Sequence, residues 1–148
     1  MGAATARVLT AAGFAVVACD DRPGTLTPEW VPGVYDRRLV DYKNLSKQCP
    51  IGPRDLVVVA TAGHKSDIDV VIQAMHAKPA YLGCLGSRRK TAFVRARLEQ
   101  EGFTQDQIDG LHLPIGVAIE AEDPEEIAIS IAAEMIHLRR TKLVPRKR

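Results

Sequence analysis

Little in this chain is built for redox or metal chemistry through sulfur. Its 148 residues hold three cysteines, Cys19, Cys49 and Cys84, and no two of them form a CxxC pair. Metal sites and disulfide frameworks need closer or even-numbered spacing, so the pattern argues against both and points to a reduced, cytoplasmic protein. Net charge is equally scant. At +2 near neutral pH it is too small to imply nucleic acid or a membrane surface as partner. A signal peptide and an apolar run long enough to cross a bilayer are missing as well. Internal repeats and low-complexity segments are absent, and so is a GxxxxGK[ST] phosphate loop, which leaves triphosphate hydrolysis without support.

What is present is an ordinary balance, 46% hydrophobic and 26% charged, enough for one core in one domain over residues 1–140. Residues 141–148 read as a basic C-terminal tail. Arg139, Arg140, Lys142, Arg146, Lys147 and Arg148 cluster around Pro145, a pattern that fits a solvated terminus or a docking arm for an acidic partner.

Strand and helix signals alternate along the chain. Gly2 to Ala12 is alanine-rich and ends at Gly13, where a helix C′ residue belongs. Phe14 to Cys19 is an apolar run that stops at Asp20-Asp21-Arg22-Pro23-Gly24, a buried strand followed by a polar loop. Residues 25–53 carry Pro28, Pro32 and Pro50 and weak patterning, with a short strand near Arg38–Val40 and a short helix near Tyr42–Lys47. Leu56 to Ala60, LVVVA, predicts a central parallel strand. A helix over Ser66–His76 presents Ile68, Val71, Ile72 and Met75 on one face until Lys78-Pro79 stops it. Tyr81 to Leu85 predicts the next strand, followed by a helix to Glu101 that ends at Gly102. Thr104 to Gln107 has capping-box spacing. Asp123-Pro124-Glu125-Glu126 supplies an N-cap, a first-turn proline and early carboxylates for the last helix.

Alternation of this kind predicts an α/β fold, an open and mainly parallel Rossmann-like sheet flanked by helices. Such sheets take ligands at the carboxyl ends of their strands. Four loops qualify: Asp20–Arg22, Thr61–Asp67, Gly83–Lys90 and Leu111–Gly116. In a dinucleotide-binding unit a carboxylate about twenty residues past the glycine fingerprint bonds the ribose hydroxyls. Asp20 and Asp21 sit at that distance from Gly2, although a polar turn explains them equally. The strand and the earlier glycines of such a fingerprint do not occur after Met1, so a fragment lacking its first, central strand is the expectation. A sheet without that strand would expose backbone that a second copy could pair, giving a homodimer.

In the second loop, Gly63 allows close approach and His64 could shuttle a proton. Alternatively His64 and Lys65 are exposed while Ser66 caps the helix. His112 could orient a ligand or be a half-buried loop histidine. The third loop reads more specifically. Gly83 and Gly86 let amides turn toward an anion, and Ser87 can cap the helix or donate to an oxygen. Free amides at the helix start add partial positive charge, and Arg88 or Arg89 can give a bidentate fork to phosphate. Cations there oppose the helix dipole, and a phosphate-bearing small molecule accounts for that mismatch.

YLGCLGSRRK at 81–90, GFTQDQIDGLHLPIG at 102–116 and DPEEIAISIAAEMI at 123–136, in that order and spacing, resemble the C-terminal Rossmann-like domain of the XdhC/CoxI family. ACDDRP at 18–23 and ATAGHKSD at 60–67 fit the same pattern. The resemblance implies an accessory protein for maturation of xanthine dehydrogenase and related molybdenum hydroxylases. It would bind molybdenum cofactor (molybdopterin, a pterin carrying phosphate) and hand it to the apo-hydroxylase. By position it implies phosphate contacts from Gly83, Gly86, Ser87, Arg88, Arg89 and Lys90. Asp20, Asp21, Gly63, His64, Asp67, His112 and Gly116 would line the same cleft, with Ser130 and Glu134 completing it. Family members usually carry an N-terminal domain as well, and often have Asp and Gly where this chain has Ala118 and Glu120. Cys84 replaces a commonly apolar residue and reads as a core thiol.

The leading expectation is therefore a cofactor-binding chaperone domain without turnover of its own, with no metal ligand set and no catalytic residue assigned. An NAD(P)-dependent oxidoreductase is one alternative. A scaffold that keeps the fold but binds nothing is another.

Overall fold

A computed structural model of the chain describes residues 1–143; Val144 to Arg148, which include three of the tail cations, lie outside the described residues. The architecture is α/β with parallel strands flanked by helices. The strands form two pairs instead of one continuous sheet, and the expected domain over 1–140 divides into two compact units.

The first unit comprises Met1–Leu39 and the chain from Gly116 onward. Its elements are α1 (Gly2–Ala11), β1 (Val17–Asp20), β2 (Asp36–Leu39) and α6 (Pro124–Leu138). Helix α1 ends as its glycine predicts. Gly13 adopts φ +81°, its N–H donates to Thr10 O and that of Phe14 donates to Leu9 O, so two carbonyls that the helix cannot satisfy find partners. The small residues of α1 serve close packing: Ala4, Thr5, Ala6 and Leu9 are buried, as are Ala128, Ile131, Ala132, Met135 and Leu138 of α6, which packs against it. Strands β1 and β2 pair in parallel, Val17 opposite Asp36 through Asp20 opposite Leu39.

Helix α6 starts on the predicted proline, and Glu126 accepts hydrogen bonds from the Asp123 and Glu122 amides. Arg139 donates to Ala12 O at 3.3 Å, and its guanidinium lies 4.1 Å over the Phe14 ring. Arg139–Leu143 then continues as one wide helical turn.

The second unit, Val40–Ile115, holds α2 (Leu45–Gln48), β3 (Leu56–Val59), α3 (His64–Ala77), β4 (Tyr81–Cys84), α4 (Arg88–Gln100) and α5 (Gln105–Asp109). Strands β3 and β4 pair in parallel. A third segment joins them. His112 N–H donates to Leu82 O, Cys84 N–H to His112 O and Ile115 N–H to Cys84 O. The core gathers Val59, Val71, Ala74, Leu82, Val94, Leu98 and Ile108. Strand β3, expected to be central, has β4 as its only strand partner among the described residues. Accordingly Leu56, Val57 and Val58 are only half-buried.

Helix boundaries follow local chemistry. Lys78 takes the left-handed conformation at φ +53° and Pro79 prevents continuation of α3. Gly102, at φ +90°, closes α4 through bonds from Gly102 N–H to Glu99 O and Phe103 N–H to Leu98 O. The Thr104/Gln107 capping box forms in both directions.

Candidate functional site

The carboxyl ends of β3 and β4 lie side by side in the second unit, and each leads through a short loop into a helix. After β3 the chain passes Thr61 and Ala62 to Gly63, the N-cap of α3, which supplies no side-chain cap. The helix therefore begins two residues before Ser66, the expected cap. Asp67 organises this loop. Its Oδ1 accepts from the Thr61 amide at 3.0 Å and from the Thr61 hydroxyl at 2.7 Å, and the residue is 1% exposed. A carboxylate in the first turn also suits the α3 dipole.

After β4 the chain passes Leu85 and Gly86 to Ser87, the N-cap of α4, whose Oγ accepts from the Lys90 amide at 3.3 Å. Lys90 does not extend outward beside Arg89. Its side chain, 9% exposed, turns inward, and its ammonium pairs with Asp67 Oδ2 and donates to the Leu85 carbonyl. Gly86 makes room for that path, because a Cβ there would lie 2.9 Å from Lys90 Cδ and 3.1 Å from Leu113 Cδ1. The buried pair thus joins the loop after β3 to the loop after β4. A cavity of about 120 Å³ opens beside it, lined by Thr61, Ala62, Gly63, Asp67 and Lys90.

Cys84, the last residue of β4, is fully buried. Burial first, and then the Asp67 charge, push its thiol up to about 11 against the opposing Lys90 charge. The group stays protonated at neutral pH, in keeping with a core thiol.

The other predicted site residues fall in varied places. Gly83 is inside β4 and buried. A Cβ there would meet Ile115 Cδ1 at 2.4 Å and the Tyr81 hydroxyl at 2.6 Å, so its missing side chain serves packing. His112 stacks against Tyr81, ring centroids 4.5 Å apart. With Met75, Lys78, Asp106 and Gln107 it lines a different groove, of about 430 Å³, at the amino end of β4. The side chains of His64 and Arg88 lie outside the described ones. Arg89 is exposed beside Ser87.

Asp20, Asp21 and Gly116 belong to the first unit. Asp20 is engaged by Arg22, which donates its amide and Nε to Oδ1, both at 3.0 Å, and Nη2 to Oδ2 at 3.1 Å. Burial pushes the Asp20 carboxyl up, but the hydrogen bonds from Arg22 and Thr25 outweigh it and hold the group below its ordinary range. Asp21 is exposed, with Arg22 Nε 3.8 Å from its Oδ1. Both Asp20 oxygens thus already have a donor in Arg22, as in a polar turn.

Gly116 has φ +94°, and a Cβ there would lie 2.3 Å from Ser130 Oγ. Its amide donates to Glu134 Oε2 at 2.7 Å. Ser130 and Glu134 therefore hold this turn, and Ser130 spends its hydroxyl proton on Ile127 O. Four residues on, Glu120 carries φ +55°, the region that favours glycine. Among the described residues no cluster of His, Cys, Asp and Glu could hold a metal ion, and no helix is long and apolar enough to cross a membrane.

Comparison with known proteins agrees with this fold. A family profile described as the XdhC Rossmann domain matches residues 1–135. The chain is 30% identical over 128 residues to the uncharacterized protein YqeB of Escherichia coli K12, covering 86% of this chain and 23% of that protein. It is 28% identical over 105 residues to the molybdenum cofactor insertion chaperone PaoD of the same organism, covering 71% and 33%. A probable xanthine dehydrogenase subunit from Bacillus subtilis is 28% identical over 128 residues, covering 86% and 37%. A crystal structure described as a xanthine dehydrogenase from Bacillus halodurans superposes with a TM-score of 0.82 at 28% identity, over 96% of this chain and 40% of that one. The chain thus spans less than half the length of each of these relatives. With the profile covering nearly its whole length, the chain belongs to the XdhC family as a Rossmann domain of the XdhC type.

Proposed function

We propose that this chain is a molybdenum-cofactor-binding accessory domain that supports insertion of the cofactor into a molybdenum hydroxylase of the xanthine dehydrogenase type. The observation that carries the reading is family membership over residues 1–135 together with kinship to PaoD, a molybdenum cofactor insertion chaperone. The donor set fits a phosphate-bearing pterin. Gly86, Ser87 and Arg89 stand at the start of α4, where first-turn amides lack intrahelical partners and the dipole favours an anion. The residues at the start of α4 position and hold; among the described residues nothing there is arranged as a nucleophile with its base. Molybdenum cofactor bound at such a site would bring its own metal chemistry, which the chain would carry without using.

Titration of the chain with molybdopterin and, separately, with nicotinamide nucleotides tests the reading. Saturable binding of molybdopterin alone supports it. Binding of the nucleotides with none of molybdopterin overturns it in favour of an NAD(P)-dependent oxidoreductase, and binding of neither leaves a scaffold.

A further inference from the structure

The Asp67–Lys90 pair borders a cavity, and its hydrogen bonds can be counted. A lysine ammonium has three donors and a carboxylate about four acceptor positions. Lys90 uses donors on Asp67 Oδ2 and Leu85 O. Asp67 uses two positions on Oδ1 for the Thr61 amide and hydroxyl and one on Oδ2 for Lys90. By this count one N–H of Lys90 and one lone pair of Asp67 Oδ2 are left without a partner among the described residues, on two paired groups that both line the cavity. Groups so buried gain from finding partners.

That pattern selects a ligand class. Phosphate offers only acceptors and would face the Asp67 carboxylate. A cation offers only donors and would face the Lys90 ammonium. A neutral group with a carbonyl next to an N–H satisfies both residues at once, the carbonyl accepting from Lys90 and the N–H donating to Asp67. The cavity, about 120 Å³, takes the edge of a ring and not a whole dinucleotide.

The geometry points to the Asp67–Lys90 pair as a subsite for the lactam edge of a heterocycle, and, resting on the cofactor reading above, for the pyrimidinone edge of a pterin. Lys90 is then a reader of the ring and not a phosphate contact. Thr61 fixes the Asp67 carboxylate, and Leu85 O fixes the ammonium, so both arrive already oriented.

Two fluorescent probes test this on the 148-residue chain. Pterin presents the lactam edge, whereas 1,3-dimethyllumazine keeps ring carbonyls but has no N–H to donate to Asp67. Wild-type chain binds pterin roughly tenfold or more tightly than the dimethyl compound, the difference of about one satisfied buried bond. The double variant Asp67→Leu with Lys90→Met removes the donor and the acceptor together and leaves no lone ion buried. Its preference falls below about twofold, while circular dichroism confirms that it folds. Equal affinities in the wild type overturn the subsite, as does a preference that survives in the folded double variant. If molybdopterin binds the wild type but neither probe distinguishes the two rings, the subsite fails and the cofactor reading stands. If pterin shows its preference but molybdopterin does not bind, the subsite stands and the cofactor reading fails.

Discussion

Lys90 and Asp67, twenty-three residues apart in sequence, meet as a buried ion pair that ties the start of α4 to the start of α3. Each partner is anchored a second time, Asp67 by Thr61 and Lys90 by Leu85 O. The two loops at the carboxyl ends of β3 and β4 are thereby held in one arrangement. Removing one partner strands the other charge in a dry place.

Asp67→Ala is accordingly expected to destabilise the chain by about 3–5 kcal/mol, the usual cost of leaving a buried charge unpaired. Replacing both residues by apolar ones of similar shape, Asp67→Leu with Lys90→Met, costs much less. Urea unfolding of the two variants checks this through their midpoints; equal losses would contradict it.

Gly83→Ala places a methyl group against Ile115 Cδ1 and the Tyr81 hydroxyl, at 2.4 and 2.6 Å. Overpacking of this kind costs about 1–3 kcal/mol. Thermal unfolding reads the loss, and an unchanged midpoint would show that the strand can shift aside.

Glu134→Ala removes the acceptor of the Gly116 amide. A bond to a charged group is worth about 1.5–3 kcal/mol, so exchange of that amide with solvent deuterium accelerates sharply, whereas Glu134→Gln retains an acceptor and much of the protection. Equal exchange in all three proteins would remove Glu134 from its role in holding the turn.

Cys84 sets an alkaline signature. Its folded value, about 11, lies above the ordinary value of 9.0, so between these limits the unfolded chain has lost a proton that the folded chain keeps. Stability from this group is complete below pH 9 and is lost as pH rises toward 11. The fall of unfolding free energy over that window is shallower in Cys84→Ala than in the wild type. Identical slopes would place the thiol in a wetter site than the fold gives it.

Local signals made most elements legible before the fold was known. LVVVA and YLGCL mark β3 and β4, Gly13 and Gly102 end their helices in the left-handed conformation, and Asp123-Pro124 opens α6. These are effects of a few neighbouring residues. The site was legible only in outline, because its central contact is tertiary. Nothing local tells Lys90 from Arg89; only the parallel pairing of β3 with β4 and the space at Gly86 turn its ammonium inward toward Asp67. Gly83 misled for the same reason. In sequence it looks like the first glycine of an anion loop, but its neighbours in space are Ile115 and Tyr81. Asp20 likewise has the spacing of a ribose ligand, while Arg22, two residues away, occupies both its oxygens.

The central claim, that the start of α4 holds the phosphate of a pterin cofactor, is tested most directly by equilibrium binding of molybdopterin to the wild type and to Arg88→Ala with Arg89→Ala. The expected result is saturable binding by the wild type and roughly tenfold or greater weakening in the double variant, with folding intact, since bonds from charged donors are lost. Unchanged affinity in the folded double variant would contradict it.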